Sequence, residues 1–138
     1  MENKAKIELK LPVLPDMELI ATQTAEIVSR HMGLSEEKSA EMGMALIEAC
    51  INAFEHSLSN KTVFIHFIID EESLTIKVID QGVGFDHSKV EVPKIENKLG
   101  ANRKRGWGIQ LIRELVDSVE FESTSEGTTV TMVKKKSV

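Results

Sequence analysis

The sequence predicts an α+β fold, a two-layer sandwich with helices on one face of a mixed, mostly antiparallel sheet. The order of the segments is the main reason: one strand, two helices, two strands, a long loop, a helix and two strands follow one another. This order does not alternate strand and helix as a doubly wound parallel sheet does. A length of 138 residues suits one core, so we expect residues 1–138 to form a single domain.

Composition excludes several classes of protein. Hydrophobic residues make up 41% and charged residues 28%, which is typical of a soluble globular domain. The net charge of -5 gives no electrostatic reason to expect nucleic acid or an anionic membrane as partner. Cys50 is the single cysteine, which excludes an internal disulfide and a cysteine zinc cluster. No apolar run has membrane-spanning length and no signal-peptide pattern begins the chain, so we expect a cytoplasmic protein.

The first strand and helix are marked by their boundaries. Residues 6–13 alternate apolar and polar in part and read as a strand, ended by prolines at 12 and 15. Asp16 can cap a helix that runs to about Met32, and Gly33 is a plausible stop. Ser35, followed by two glutamates, starts a second helix that ends near residues 57–60.

Residues 41–56 of this second helix are apolar around nearly the whole circumference, which predicts a buried helix. Glu48 and Asn52 interrupt the apolar surface and, four positions apart, lie on one face. Burying a carboxylate and an amide is unfavourable unless each finds a partner. The partners can be neighbouring backbone groups, or a metal ion and a reacting group, and this helix alone leaves both open.

A hairpin and a glycine-containing loop follow. Thr62–Ile69 is rich in β-branched and aromatic residues, and residues 74–79 alternate again after a turn at 70–73. Asp80 comes next, followed by Gly82 and Gly84. A carboxylate at a strand end can accept a hydrogen bond from an exocyclic amine such as that of adenine, and adjacent glycines let backbone approach a flat ring. An ordinary turn fits the same residues.

Residues 87–105 are highly charged and lack periodicity, and loops of this length in compact domains are often lids or binding segments. They end in a basic run, after which Gly106 and Gly108 open a third helix. Free N–H groups at a helix start favour phosphate, although a solvated basic turn is the alternative. Neither a Rossmann nor a Walker fingerprint fits these glycines. Residues 119–123 and 128–134 form the last two strands.

Glu48 and Asn52 offer oxygen ligands of the kind that a hard cation such as Mg2+ prefers. Together with the candidate adenine and phosphate sites, they place three parts of a nucleotide site in one chain. Four segments then resemble, in order and spacing, the N, G1, G2 and G3 boxes of the GHKL ATP-binding superfamily. The segments are EACINAFEH from residue 48, DQGVGF from 80, GWGIQL from 106 and GTTV from 127.

The resemblance covers nearly the entire chain and is strongest to the short bacterial anti-sigma-factor serine kinases. It implies that Asn52 coordinates Mg2+ and that Glu48 is the general base for the attacking serine hydroxyl. It also implies that Asp80 binds the adenine amino group and that Thr128 supports this contact. ATP and Mg2+ are therefore the expected substrate and metal.

The resemblance further implies roles for five residues of the loops. Gly82 and Gly84 would line the adenine pocket. Gly106 and Gly108 would let the helix start meet the phosphates, beneath a lid formed by residues 87–105. Arg105 would contact the terminal phosphates.

The implied function is phosphorylation of a serine in a small, STAS-like anti-sigma-factor antagonist, which controls release of a sigma factor. A homodimer is also implied, with the first strand and first helix as its candidate surface. One rival is a sensor histidine kinase fragment, but 138 residues leave no room for the helical hairpin with its phosphoacceptor histidine. A second rival is a non-enzymatic ATP-binding module that sequesters a partner. Glu48 argues against it, because a binder needs no base.

Overall fold

The computed structural model of the protein describes residues 4–57, 62–81 and 103–137. In these residues the elements follow in the predicted order, which confirms the α+β class. They are β1 (Ala5–Pro12), α1 (Met17–Met32), α2 (Glu36–His56), β2 (Thr62–Ile69), β3 (Ser73–Asp80), α3 (Arg103–Leu115), β4 (Ser118–Thr124) and β5 (Gly127–Lys135).

The described strands form one sheet in the order β1-β2-β3-β5-β4. All four neighbouring pairs are antiparallel, so the expected mixture of parallel and antiparallel pairs is not found among them. Short connections explain two of these pairs, since β2–β3 and β4–β5 are hairpins, and a parallel pair needs a longer crossover.

One face of the sheet carries the core. The register aligns Phe67 with Ile76 and Ile76 with Met132, and all three side chains are fully buried. The three helices cover this face, and their apolar residues join those of the strands in one hydrophobic cluster. The predicted alternation of β2 is confirmed over most of its length, because Val63, Ile65 and Phe67 are buried while the residues between them are half-buried. Ile69, predicted on the inward face, is half-buried at the strand end.

The caps of α1 and α2 agree with their predicted positions. Asp16 precedes α1, but it has a φ of 73° and its side chain makes no cap hydrogen bond, so the predicted capping contact is wrong. Gly33 ends α1 in the left-handed region, with a φ of 85° that glycine adopts without strain. At the start of α2, the Ser35 hydroxyl accepts a hydrogen bond from the Lys38 backbone N–H at 3.1 Å.

The helix α2 is not buried on all sides, contrary to the prediction from its apolar composition. Met42, Leu46 and Cys50 are fully buried, whereas Met44 is 50% exposed. The sheet lies beneath α2, and α1 and α3 pack against it. None of the described elements is seen to pack over its outer side, where Met44 is exposed.

The helix α3 begins at Arg103, one turn before the predicted start at Gly106. Arginine and lysine are good helix formers, so the basic run forms the first turn instead of preceding it. Ile112 and Val116, predicted on the apolar side, are buried. In the part of the chain that the structure describes, no helix is both long enough and apolar enough to cross a membrane.

Candidate functional site

Asp80 and Thr128 meet at one end of the helix-covered face of the sheet. They are partners across β3 and β5, and the Thr128 backbone N–H donates to Asp80 Oδ1 at 3.3 Å. Asp80 is 4% exposed and Thr128 5% exposed. A buried carboxylate is stable in such a place only when hydrogen-bond donors face it. The structure therefore brings together the two residues to which the resemblance assigns the adenine contact.

Ser123 lies beside this pair and was not predicted from the sequence. It faces Thr128 across the β4–β5 hairpin, and the two hydroxyl oxygens lie 2.8 Å apart in a hydrogen bond. The register carries the only signal that could have found it. Once the turn is assigned to residues 125 and 126, positions 123 and 128 become cross-strand partners.

Gly127 makes the close approach between this hairpin and β3 possible. Its φ is 152°, and a Cβ atom at this position would lie 2.0 Å from the carbonyl oxygen of Asp80. No side chain fits there without movement of the backbone, since real Cβ atoms do not approach so closely. A glycine at 127 is thus a steric requirement of the Asp80–Thr128 geometry.

Glu48 and Asn52 are both half-buried on α2, one helical turn apart. They flank the buried side of α2, so a ligand can reach them without taking apart the core. Their intermediate exposure also reduces the free-energy cost of burying a carboxylate and an amide, because neither group is fully removed from water.

The direction of α2 places Asn52 toward the Asp80 end of the sheet. Ser57, just after α2, is separated from Thr62 by a chain that spans at most about 18 Å. Thr62 begins β2 beside Val63, which pairs with Asp80. The residues 58–61 that connect them lie outside the described residues.

A part-buried ion pair joins α2 to β5 at the opposite end of the same face. Lys134 Nζ lies 2.7 Å from Glu41 Oε1 on α2 and 2.6 Å from the Leu115 carbonyl oxygen at the end of α3. The Lys134 side chain is 8% exposed. The sequence did not predict this latch of Glu41, Lys134 and the Leu115 carbonyl, because its members are far apart in the chain.

The latch also sets the direction of α3. The last turn of α3 lies at the Lys134 end, and α3 packs along α2. The 13 residues of α3 extend about 20 Å, so its first turn lies well away from Lys134.

The first turn of α3 has the features of an anion site. It contains Arg105 and Gly106, it carries no acidic residue, and its N–H groups have no acceptor within the helix. Gly108 lies in the next turn. Gly82, Gly84 and residues 87–102 of the predicted lid fall outside the described residues, and residues 103–105 are helical.

The donor set fits a magnesium ion that keeps most of its own ligands. In the described ranges, no group of three or more His, Cys, Asp or Glu side chains is placed to hold a metal ion. The half-buried Asn52 and Glu48 offer one amide oxygen and one carboxylate on α2. Mg2+ commonly takes one or two protein oxygens and completes its shell with water and phosphate.

Comparisons with known proteins agree with this fold. The profile described as histidine kinase-like ATPase domain matches residues 14–134. Two relatives, from Bacillus cereus and Bacillus anthracis, are named serine-protein kinase RsbW. Each is 33% identical over 140 residues, covering 97% of this chain and 87% of its own length.

Two solved structures share the fold. One contains the RsbU and RsbW domains of a Mycobacterium tuberculosis protein, with a TM-score of 0.70 and 16% identity over 94% of this chain and 32% of that one. The other is the histidine kinase domain of a blue-light activated kinase from Erythrobacter litoralis. Its TM-score is 0.58, with 18% identity over 97% of this chain and 68% of that one. At these identities the likeness concerns the fold alone.

Proposed function

Because the chain belongs to the family of histidine kinase-like ATPase domains, we propose that it is an ATP-dependent serine kinase of the anti-sigma-factor class. We propose one domain over residues 1–138, acting in the cytoplasm on a STAS-like antagonist and binding a sigma factor. The relatives named serine-protein kinase support the reaction type. The observation that carries the proposal is the hydrogen-bonded Asp80–Thr128 pair at the sheet end toward which α2 directs Asn52.

Asp80 provides the adenine contact. Its carboxylate accepts a hydrogen bond from the exocyclic amine, and the Thr128 backbone N–H holds the carboxylate in place at 3.3 Å. The near-complete burial of both residues excludes competing water, so each hydrogen bond to the base counts more than it would at the surface. Gly82 and Gly84, next along the chain, lie outside the described residues, and their place in the adenine pocket stays a prediction.

The start of α3 holds the phosphates. Free N–H groups in its first turn point along the helix axis, and Arg105 adds a positive charge with no acidic residue in that turn. Gly106 and Gly108 leave room for the phosphate oxygens to reach the backbone.

Asn52 would hold Mg2+ through its amide oxygen. When bound, the ion neutralises charge on the phosphates, as in other phosphoryl transfers. Asn52 needs only to orient one oxygen, and its half-buried position on a rigid helix does this with little loss of side-chain entropy.

Glu48 accepts the proton of the substrate serine. As the serine oxygen bonds to the γ-phosphorus, the bond from that phosphorus to the β,γ-bridging oxygen breaks. The serine proton passes to the Glu48 carboxylate, and the products are phosphoserine and ADP. The one-turn spacing from Asn52 keeps the base beside the metal ligand.

Replacement of Glu48 tests the assignment. Glu48→Gln keeps size and hydrogen bonding but removes the base, so it should lose phosphorylation by ~100-fold or more. It should keep ATP affinity, measured by calorimetry, and sigma-factor binding. Radiolabel transfer from ATP to the cognate antagonist is the assay. Glu37→Gln, an exposed glutamate in the first turn of α2, is the matched control and should phosphorylate normally.

Two other variants separate the parts of the site. Asp80→Asn should weaken the binding of ATP and of ADP to the same extent. Asn52→Ala should remove only the Mg2+-dependent part of ATP binding. Full phosphorylation by Glu48→Gln would refute the assignment of Glu48 as the general base. ATP binding without transfer to any antagonist of the same genome would favour the non-enzymatic module.

A further inference from the structure

The Ser123 hydroxyl lies beside the Asp80–Thr128 pair, and neither the family boxes nor the proposed mechanism assigns it a role. It is half-buried on β4 and lies 2.8 Å from Thr128 Oγ1. Thr128 is joined at the same time to Asp80 through its backbone N–H. Ser123, Thr128 and Asp80 thus form a continuous chain of hydrogen bonds across three adjacent strands.

The direction of the Ser123–Thr128 hydrogen bond determines whether the Thr128 hydroxyl can donate a hydrogen bond to a nucleobase or only accept one. Each hydroxyl has one proton and can also accept. If Thr128 donates to Ser123, its oxygen can only accept from a ligand. If Ser123 donates instead, the Thr128 proton is available to a ligand. Thr128 is 5% exposed, so water does little to correct a mismatch.

Adenine selects between these two states. Its edge presents a donor, the exocyclic amine, next to an acceptor, the ring nitrogen. Asp80 is an acceptor and suits the amine, so the ring nitrogen requires a donor close to Asp80. The Thr128 hydroxyl can be that donor only when Ser123 donates to it. Guanine presents the reverse pattern, an oxygen beside a ring N–H, and matches neither group.

We propose that Ser123 is a positioning residue for base selection. It donates its proton to Thr128 Oγ1 and so reserves the Thr128 proton for the ring nitrogen beside the adenine amine. This inference rests on the proposed adenine site. It adds to that site the residue that determines the direction in which the Thr128 hydroxyl donates its hydrogen bond.

The test is a cycle between protein variants and nucleotide analogues, read by calorimetry. The ligands are ADP and 1-deaza-ADP, in which a C–H replaces the ring nitrogen beside the amine. The parent protein should bind ADP about 3- to 10-fold more tightly than the analogue, as expected for one net hydrogen bond. In Ser123→Ala this ratio should fall toward one, mainly through weaker ADP binding.

Control variants separate positioning from simple destabilisation. Ser123→Thr keeps the donor and should restore the ratio. Ser118→Ala removes an exposed serine at the other end of β4 and should behave as the parent. Thr128→Val should by itself bring the ratio of the two affinities to about one. Adding Ser123→Ala to this variant should not change the ratio further. If circular dichroism shows that Ser123→Ala is unfolded, Ser123→Cys, with its weak donor, replaces it.

Two results would overturn the inference. Equal weakening of ADP and 1-deaza-ADP in Ser123→Ala would mean that Ser123 only supports the local structure. An unchanged ratio would mean that Ser123 does not orient Thr128. In both cases the parent still binds ADP and the proposed function stands. A parent protein that binds neither nucleotide would refute the proposed function and this inference together.

Discussion

At the residue scale, Cys50 shows how burial alters a single group. It is fully buried on α2, and burial, with a smaller contribution from the Glu18 carboxylate, raises the pKa of its thiol to about 12. The thiolate is the reactive form of cysteine, so the folded protein holds this group in its unreactive form at neutral pH. Cys50 is the only cysteine of the chain, and its side chain is part of the hydrophobic core.

The raised pKa of Cys50 predicts a loss of stability in alkaline solution. The unfolded thiol releases its proton above about pH 8.5, whereas the folded one keeps it until about pH 12. Its contribution is therefore complete below pH 8.5 and falls as the pH rises toward 12. Urea unfolding at pH 8 and pH 10 should show a steeper decline for the parent than for Cys50→Ala. Equal declines would contradict the raised pKa.

Gly127 and Gly43 predict opposite outcomes for the same substitution. Gly127→Ala puts a Cβ against the Asp80 carbonyl and should lower the free energy of unfolding by roughly 2 kcal/mol or more, with weaker ATP binding. Gly43→Ala meets nothing within 4 Å on α2 and should stabilise the protein by about 0.5–1 kcal/mol. Thermal and urea unfolding measure both. An unchanged free energy of unfolding in Gly127→Ala would show that the backbone where β5 begins beside Asp80 adapts easily to a Cβ atom.

At the element scale, α2 connects the two ends of the molecule. Its first half carries Glu41, which pairs with Lys134, and its second half carries Glu48 and Asn52. The latch joins α2, the end of α3 and β5, so the two helices that carry the candidate site residues are held against the sheet at the far end. We expect the position of Asn52 relative to the first turn of α3 to depend on this anchoring.

The latch predicts a marked asymmetry between its single and double variants. Glu41→Gln leaves the nearly buried Lys134 ammonium without its counter-charge and should cost about 1–3 kcal/mol of unfolding free energy. The double variant Glu41→Gln with Lys134→Met leaves no unpaired charge and should recover part of the loss. Glu26→Gln breaks the exposed Glu26–Arg30 pair and should change stability by less than about 0.5 kcal/mol. Equal effects of Glu41→Gln and Glu26→Gln would mean that the latch is not coupled to folding.

At the scale of the whole molecule, one side has the features of a subunit interface. The strand β1 lies at an edge of the described sheet. The adjacent α1 exposes Leu19, Ile20 and Ile27 by 49%, 42% and 62%. An unpaired edge beside exposed apolar residues favours association with a second copy. The expectation of a homodimer therefore remains a prediction with a definite surface.

A charge on α1 should break this dimer. Light scattering at micromolar concentration should give twice the monomer mass for the parent and the monomer mass for Ile27→Lys. Met44→Lys, at a 50% exposed apolar residue on α2, is the control and should remain dimeric. A monomeric parent would contradict the prediction, and loss of the dimer in Met44→Lys as well would move the interface toward α2.

Local patterns in the sequence were enough to predict the elements and their order. Alternation defined β2, and Gly33 and Ser35 defined the break between α1 and α2, because these signals act within a few residues. The resemblance of the ordered boxes to the GHKL superfamily is confirmed by the family match over residues 14–134. Asp80 was recognisable as a candidate because it ends a strand directly before two glycines, where a carboxylate can accept a hydrogen bond from an exocyclic amine.

Tertiary structure decided what depends on proximity between distant residues. Composition alone predicted that α2 is buried all round, but the open side follows from where α1 and α3 pack. The Ser123–Thr128 hydrogen bond depends on strand register, and the Lys134–Glu41 pair joins residues far apart in the chain. Periodicity shows which face of an element is apolar, but only packing determines what that face meets. For this reason the sequence determined the parts of the site, and the fold determined their partners.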